Sequence, residues 1–223
     1  MKLMKLVGKN LVSVLLGTAV IGALLVLVAG DHRWLNCWLF LGSLNGYLWF
    51  YVIYFLVRDP GTLERRSMLS SEKGDNLILG VIGILFVGSL VLSALDYRYQ
   101  WSQTPLFVSL GGLAFLTVAY AILFLVAREN TYASKGLRIH EGQRVISTGL
   151  YGVVRHPLYM GGTIMGIAVA LTLGSLAGLI PGIGLPFVYA VRIRKEERML
   201  LRELDGYEEY RNRVRFRLVP GVW

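Results

Sequence analysis

Residues 158–191 read LYMGGTIMGIAVALTLGSLAGLIPGIGLPFVYAV, an apolar stretch of 34 residues. A helix needs about 20 residues to cross a hydrocarbon core of roughly 30 Å, so this stretch is too long for a single membrane span. Glycine and proline, which weaken or break helices, recur in its second half. They are Gly174, Gly178, Pro181, Gly182, Gly184 and Pro186. The stretch therefore predicts a helical hairpin of two short or broken spans.

The first arm of this hairpin carries a row of small residues. Gly162, Gly166, Ala170 and Gly174 recur every four positions, which places them on one side of a helix. Small residues at this spacing are typical of helices whose backbones approach closely inside a membrane. The row predicts helix packing.

Four more apolar windows precede the hairpin, and each is long enough to span a membrane. They are residues 11–29, 35–57, 77–95 and 106–127. The chain of 223 residues is 55% hydrophobic and only 17% charged, which is outside the range of ordinary soluble domains. We therefore expect an all-α integral membrane protein with about six transmembrane helices, the last two forming the short hairpin.

The first window follows Lys2, Lys5 and Lys9, which is the general layout of a secretory signal peptide. Signal peptides have apolar cores of about 7 to 15 residues, and this window is longer, so a retained helix is expected. The single cysteine, Cys37, has no partner for an intrachain disulfide. A packing role is expected for it.

The net charge of +9 is distributed unevenly along the chain. If the N-terminus is cytoplasmic, only Arg33 and Arg98 of the 23 Lys and Arg residues lie outside, as the positive-inside rule requires. Both termini and the long polar connections 58–75 and 128–157 are then cytoplasmic. Membrane orientation accounts for the basic balance, so no nucleic-acid partner is expected.

The tail 192–223 contains nine of the 23 basic and six of the 14 acidic residues. Such a polar segment is expected to leave the bilayer as a cytoplasmic helix and tail. Within it, Tyr207, Tyr210 and the alternating stretch 214–218 predict anchoring at the membrane interface. The reason is that tyrosine rings and long arginine side chains favour the headgroup level.

An Arg155-His156-Pro157 triplet stands directly before the hairpin. Proline suits the first turn of a helix and disfavours helical geometry in the residue before it, so His156 is expected at a helix mouth. Free amide groups there favour an anion, and the imidazole can donate or accept a hydrogen bond. The alternative is a simple helix cap, with Arg155 extending to lipid phosphates.

A second polar group follows the hairpin, where Arg192 and Glu196 lie one helical turn apart and Glu197 is adjacent. One interpretation is a surface ion pair, although an exposed pair of this kind contributes only about 0.3 to 0.5 kcal/mol. The other is a site for a zwitterionic ligand. The hairpin brings this group and the His156 loop to the same side of the membrane.

The sequence lacks the common soluble cofactor motifs. It has no Gly-x-Gly-x-x-Gly between a strand and a helix, no phosphate-binding loop and no His-Glu-x-x-His. We therefore expect neither a soluble nucleotide-binding domain nor a metal site.

Three motifs, in order along the chain, carry a family resemblance. They are Gly149-x-Tyr151-x-x-x-Arg155-His156-Pro157-x-Tyr159-x-Gly161, Arg192-x-x-x-Glu196-Glu197-x-x-Leu200, and Tyr207-x-x-Tyr210 with Arg217-Leu218-x-Pro220. This combination closely resembles the isoprenylcysteine carboxyl methyltransferase family, and the phospholipid N-methyltransferases are similar over the same region. The resemblance covers about residue 128 to the C-terminus. The first four windows match only as hydrophobic helices.

The resemblance implies an integral-membrane enzyme that uses S-adenosyl-L-methionine without a Rossmann domain. It divides the chain into a four-helix transmembrane region, 1–127, and a methyltransferase-like region, 128–223, with a cofactor loop, the hairpin and the tail. The implied acceptor is a lipophilic or lipidated molecule that arrives from the bilayer. A carboxylate such as a prenylcysteine-like group is favoured, and a phospholipid amine is the alternative.

The family's functional residues map onto both sides of the hairpin. Those implied to enclose the cofactor are Gln143, Arg144, Val145, Ile146, Tyr151, His156, Pro157, Leu158, Tyr159, Glu196 and Glu197. Arg192 matches the family's substrate-side arginine, and Arg192, Glu196 and Glu197 are the implied catalytic residues. The stretch 204–207 is one residue shorter than in the family, which leaves open which glutamate faces the cofactor.

Two other classes of protein remain. Membrane sterol reductases carry a similar His-Pro-Asn-Tyr-x-Gly-Glu stretch and bind a nicotinamide cofactor, but here Leu158 and Gly162 replace the Asn and the Glu. A non-catalytic lipid-binding or scaffold protein is the other alternative. It would not need His156 and a glutamate pair at one helix mouth.

Overall fold

The computed structural model describes residues 2–67, 76–130 and 143–223, and the regular structure in these ranges is entirely helical. The elements are α1 (Lys2–Ala29), α2 (Leu35–Arg58), α3 (Pro60–Ser67), α4 (Asn76–Tyr99), α5 (Leu106–Glu129), a 3₁₀ turn (Gly149–Gly152), α6 (Pro157–Thr172), α7 (Leu179–Glu203) and α8 (Tyr207–Arg213). The predicted all-α, multi-pass membrane fold is confirmed. The predicted polar connections 58–75 and 128–157 lie partly outside the described residues.

Four helices are long and apolar enough to span a membrane, namely α1 from Leu6 onward and the whole of α2, α4 and α5. Each span has 24 residues. That length is about 36 Å of helix, which exceeds a hydrocarbon core of roughly 30 Å. The four predicted windows are therefore confirmed. The short helix α3 was not predicted, because it has eight residues and no long apolar run.

α6 and α7 form the predicted hairpin. α6 has only 16 residues, or about 24 Å, so it is the short arm that was expected. The chain turns at 173–178, where Gly174 has a φ of 74°. α7 is one continuous helix of 25 residues that includes Pro186, so the second arm is not broken. Its polar second half carries the tail away from the hairpin as a helix, as predicted.

Small residues determine how closely the hairpin packs. A Cβ added to Gly166 would collide with Leu185, and one added to Gly182 would lie 2.7 Å from the carbonyl oxygen of Gly166. Gly162 faces the Tyr189 ring in the same way. The backbones of α6 and α7 are therefore in direct contact, which confirms the predicted packing role of Gly162 and Gly166. Gly174, predicted on the same helix face, instead lies in the turn after α6. This contact places the start of α6 beside the polar half of α7.

The hairpin lies between α4 and α5. Gly88 of α4 faces Pro181 of α7, and Gly112 of α5 lies directly against the α6 backbone at Thr172. α1 and α2 complete the bundle. Cys37 of α2 is fully buried in a core to which α1, α4, α5 and α6 also contribute, so its predicted packing role is confirmed.

The bundle has two ends. The turn face holds the short connections 30–34, 100–105 and 173–178, and the site face holds the end of α5, the start of α6 and residues 192–223. At the turn face, Asp96 is 1% exposed. It accepts hydrogen bonds from the Ser102 backbone (2.6 Å) and hydroxyl (2.7 Å), from the Ser175 hydroxyl and from the Ala177 backbone (3.2 Å). This carboxylate fastens the hairpin turn to α4.

Candidate active site

The site face is organised around the start of α6. Pro157 is the first residue of α6 and His156 is its N-cap, as predicted. The tail runs beside this loop, because the backbone N–H groups of Arg155 and His156 donate to the carbonyl oxygens of Phe216 and Arg217, both at 2.9 Å. Two distant parts of the chain thus hold each other in place.

Glu197 of α7 is the centre of a buried ion cluster. Its carboxylate lies 2.7 Å from Arg155 Nε, 2.8 Å from Arg217 Nε and 3.4 Å from His156 Nε2. The side chain of Glu197 is 6% exposed and that of Arg155 is 4% exposed. Arg155 also donates to the carbonyl oxygens of residues 214 and 215, at 2.7 and 2.9 Å. The alternative in which Arg155 extends to lipid phosphates is wrong, since its charge is neutralised inside the protein.

The cluster determines the charge state of Glu197. Burial by itself raises the pKa of this carboxyl group. Hydrogen bonds from His156, Arg217 and Arg155 outweigh burial and lower the pKa from 4.5 to about 2. Glu197 is therefore ionised at neutral pH. Its oxygens are occupied by donors from the protein, which leaves little capacity for a ligand.

The neighbouring Glu196 lies in different surroundings. It is half-buried, and its Oε2 accepts a 2.6 Å hydrogen bond from the Tyr159 hydroxyl. The Tyr159 ring stacks on Tyr189 with 5.1 Å between centroids, and the Arg192 guanidinium lies 5.7 Å from the Tyr159 centroid. Arg192 is 5% exposed, so the interpretation of Arg192 and Glu196 as a surface ion pair is wrong. Glu196 is thus the glutamate that contacts Tyr159 of α6.

The tyrosines of the tail are part of the fold. Tyr207 and Tyr210 are each 4% exposed, so the prediction that they anchor at the membrane interface is wrong. The Tyr210 hydroxyl donates to the backbone carbonyl of Tyr151 at 2.8 Å. Burial is the main cause that raises the pKa of both hydroxyls, Tyr207 and Tyr210, so both stay protonated at neutral pH. The stretch 214–218 was also predicted as an anchor, and it instead pairs with the His156 loop.

The loop implied to hold the cofactor reaches the same face. Val145 packs against the buried pair of Tyr207 and Tyr210. Tyr151 is buried in the 3₁₀ turn, and its hydroxyl accepts a 2.9 Å hydrogen bond from the side-chain amide of Asn130. The other members of this set keep part of their surface accessible: Gln143, Arg144, Ile146 and Leu158. All the predicted site residues lie on the site face, and their roles stay predictions.

Sequence reasoning missed several residues of this face. Arg155 and Arg217 both belong to the quoted motifs. If the motif residues are expected to contact one another, their shared partner Glu197 can be predicted. Nothing in the sequence marks Glu129 and Asn130, which stand at the end of a long and largely apolar helix. Within the described ranges, no group of three or more His, Cys, Asp or Glu side chains is arranged to hold a metal ion.

Known proteins match much of the chain that builds this face. Residues 107–205 match the phospholipid methyltransferase family. The match begins in α5, includes the whole hairpin and supports a relationship to the membrane methyltransferases. The chain is also similar to the Delta(14)-sterol reductase of Mus musculus, with 34% identity over 86 residues. That alignment covers 37% of this chain and 20% of the reductase, so the chain spans about a fifth of the length of this relative.

Proposed function

We propose that this protein is an integral-membrane methyltransferase that uses S-adenosyl-L-methionine at the site face. The observation that carries the proposal is the contact of Tyr159 with both Glu196 and Arg192, because it joins the two arms of the hairpin in one polar, aromatic-lined site. The match to the phospholipid methyltransferases supports this reaction class.

The residues at this face fit the charged groups of S-adenosyl-L-methionine, which carries a sulfonium, an ammonium and a carboxylate. Aromatic faces and carboxylates attract cations, and Tyr159, Tyr189 and Glu196 provide both in one contact group. The amide groups expected to be free beside His156 are largely occupied, because those of Tyr159 and Met160 donate to the His156 carbonyl oxygen. The positive end of the α6 helix dipole still suits an anion there. When bound, the cofactor supplies a methyl group on a positively charged sulfur.

The chain's own groups would bind and orient the two reactants. Glu197 holds the His156 loop and the tail in place through its ion cluster, so we assign Glu196 to the cofactor. Methyl transfer to a carboxylate is a direct displacement that needs little proton transfer. Alignment and the exclusion of water would then supply most of the rate, with alignment contributing up to roughly 7 to 11 kcal/mol in favourable cases.

We propose that the methyl acceptor is a lipophilic molecule that arrives from the bilayer. We favour one that carries a carboxylate, such as a prenylcysteine-like group. Arg192 supports this choice, since a guanidinium can hold a carboxylate by two parallel hydrogen bonds that a lysine cannot reproduce. Arg192→Lys should therefore behave almost like Arg192→Ala. Both should reduce methyl transfer at subsaturating acceptor more than they reduce cofactor affinity.

A phospholipid amine is the second acceptor class, and the description of the matched family favours it. A cation is a poor neighbour for an amine, so Arg192 would then act outside the acceptor site. Full turnover of phosphatidylethanolamine by Arg192→Ala, with cofactor binding intact, would remove Arg192 from the substrate side.

A nicotinamide-dependent reductase is the second candidate function, because the chain is similar to a sterol reductase. Calorimetry on the purified full chain in detergent, with S-adenosylhomocysteine and NADPH titrated in parallel, separates the two. We expect heat of binding for S-adenosylhomocysteine alone. Binding of NADPH alone would replace the methyltransferase by the reductase, and binding of neither would favour a non-catalytic lipid-binding protein.

We place the site face and both termini in the cytoplasm, since only Arg33 and Arg98 of the 23 Lys and Arg residues then lie outside. Single cysteines introduced at His32, on the turn face, and at Thr148, on the site face, test this orientation because both positions are exposed. An impermeant maleimide should label position 32 in intact cells. Labelling of position 148 instead would reverse the orientation.

A further inference from the structure

Glu129 is the last residue of α5 and lies beside the 3₁₀ turn of the site face. Its carboxylate occupies the space that a Cβ on Gly149 would need. Gly149 has a φ of 51°, a left-handed geometry that glycine adopts without strain. The next residue, Asn130, donates to the Tyr151 hydroxyl at 2.9 Å. The end of α5 therefore forms part of the wall around a residue implied to contact the cofactor.

One oxygen of this carboxylate is buried without a donor. Glu129 Oε2 is shielded from solvent, and no donor in the described ranges forms a hydrogen bond with it. The buried carboxylates of Asp96 and Glu197, by contrast, accept several hydrogen bonds each. A buried oxygen that lacks its donor costs free energy, so such a group calls for an explanation. A ligand that brings donors to this position provides one.

We propose that Glu129 is a further cofactor-binding residue, whose carboxylate accepts hydrogen bonds from donor groups of the bound nucleoside cofactor. This inference rests on the proposed methyltransferase function. S-adenosyl-L-methionine presents donors in two places, the ammonium of its amino-acid part and the hydroxyls of its ribose. A carboxylate with a free oxygen accepts from either group.

The test compares the binding of S-adenosylhomocysteine to the unmodified full chain with its binding to Glu129→Gln and Glu129→Met. Loss of a charge-assisted hydrogen bond should weaken binding roughly ten- to a hundredfold. The melting temperature without ligand should stay the same or rise, because both substitutions remove the charge of a carboxylate that has one buried oxygen without a donor. Glu203→Gln, at an exposed position at the end of α7, is the matched control and should leave both quantities unchanged.

A lower melting temperature with unchanged affinity in the Glu129 variants would overturn the inference, since it would make Glu129 a packing residue of the turn. 5′-Methylthioadenosine keeps the ribose and lacks the ammonium, so a parallel titration locates the contact. Equal weakening of both nucleosides assigns Glu129 to the ribose, and weakening of S-adenosylhomocysteine alone assigns it to the ammonium. If the unmodified protein bound neither nucleoside, the proposed function would fail and this inference with it.

Discussion

The two ends of the bundle each bury a carboxylate, and the two carboxylates are held in different ways. Asp96 at the turn face accepts from hydroxyl and backbone N–H groups, all of them neutral. Glu197 at the site face accepts from two guanidinium groups and a histidine ring. The donors of Asp96 lie in the connections 100–105 and 173–178, whereas those of Glu197 come from the loop before α6 and from the tail.

This difference indicates that Asp96 has a structural role alone, whereas Glu197 also supports the candidate site. Asp96 fixes the hairpin turn and lies at the opposite end of the bundle from His156, so its loss should affect stability alone. Glu197 joins α7, the loop before α6 and the segment around Arg217, and the first two carry predicted site residues, so its loss should affect both stability and binding. Glu196 contacts Tyr159 without belonging to the ion cluster, and we expect its loss to affect binding alone.

Replacement of Glu197 should have the largest effect. Glu197→Ala leaves the buried Arg155 and the partly buried Arg217 without their carboxylate. Removing one partner of a buried ion pair typically costs about 3 to 5 kcal/mol. We expect a loss of this size in the free energy of unfolding in detergent, together with loss of S-adenosylhomocysteine binding. A stable variant that still bound the nucleoside would show that the cluster does not organise the site.

The matching change at the turn face is Asp96→Asn. The amide keeps the shape but turns an NH₂ group toward donors, which leaves buried donors unsatisfied at a cost of about 1 to 3 kcal/mol. Thermal melting should fall accordingly, while the affinity for S-adenosylhomocysteine should match that of the unmodified protein. A large loss of affinity in this variant would erase the distinction between the two faces.

Loss of the His156 ring or of the Tyr159 hydroxyl should weaken ligand binding without lowering stability. His156→Ala and Tyr159→Phe should each weaken S-adenosylhomocysteine binding roughly ten- to a hundredfold, the usual effect of losing a hydrogen bond to an ionised ligand. Both should stay folded, because Glu197 retains its two guanidinium partners. Tyr99→Phe is the control, since Tyr99 is 59% exposed at the turn face. Unchanged calorimetric affinity in both variants would limit the His156 side chain to its contact with Glu197.

The smallest expected effect is a difference between the unmodified protein and Glu197→Gln in how steeply the melting temperature falls at acid pH. The pKa of Glu197 is lowered in the folded protein from 4.5 to about 2, so its charge stabilises the fold above the unfolded value. This contribution is lost as the pH falls from about 4.5 toward 2. Melting temperatures measured between pH 6 and pH 3 should therefore fall more steeply for the unmodified protein than for Glu197→Gln. Parallel curves would contradict the ion cluster.

Most of the fold could be predicted because membrane spans are encoded locally. A helix in lipid satisfies its own backbone, so length and apolar composition predicted four spans and the hairpin without knowledge of tertiary contacts. The continuity of α7 through Pro186 could not be predicted from the same pattern. A proline weakens a helix, and the packing of the surrounding bundle decides whether the helix breaks.

The site was harder to predict because it depends on contacts between distant segments. Glu196 and Glu197 are adjacent on α7 and therefore point about 100° apart. Which of them belongs to the ion cluster is decided by Arg155 and Arg217, which lie in other segments. The tail tyrosines were assigned to the membrane interface from their amphipathic character alone. That character is equally compatible with the buried positions they occupy, where Tyr210 donates to the Tyr151 backbone.

The most direct test of the central claim is methyl transfer from labelled S-adenosyl-L-methionine by the purified protein in lipid vesicles. The acceptors would be prenylcysteine, phosphatidylethanolamine, fatty-acid and thiol compounds. We expect label in a lipophilic acceptor, reduced at least roughly tenfold by Glu196→Gln and retained by Asp96→Asn. Absence of label from every acceptor with a folded protein, or equal labelling by Glu196→Gln, would contradict a methyltransferase site at this face.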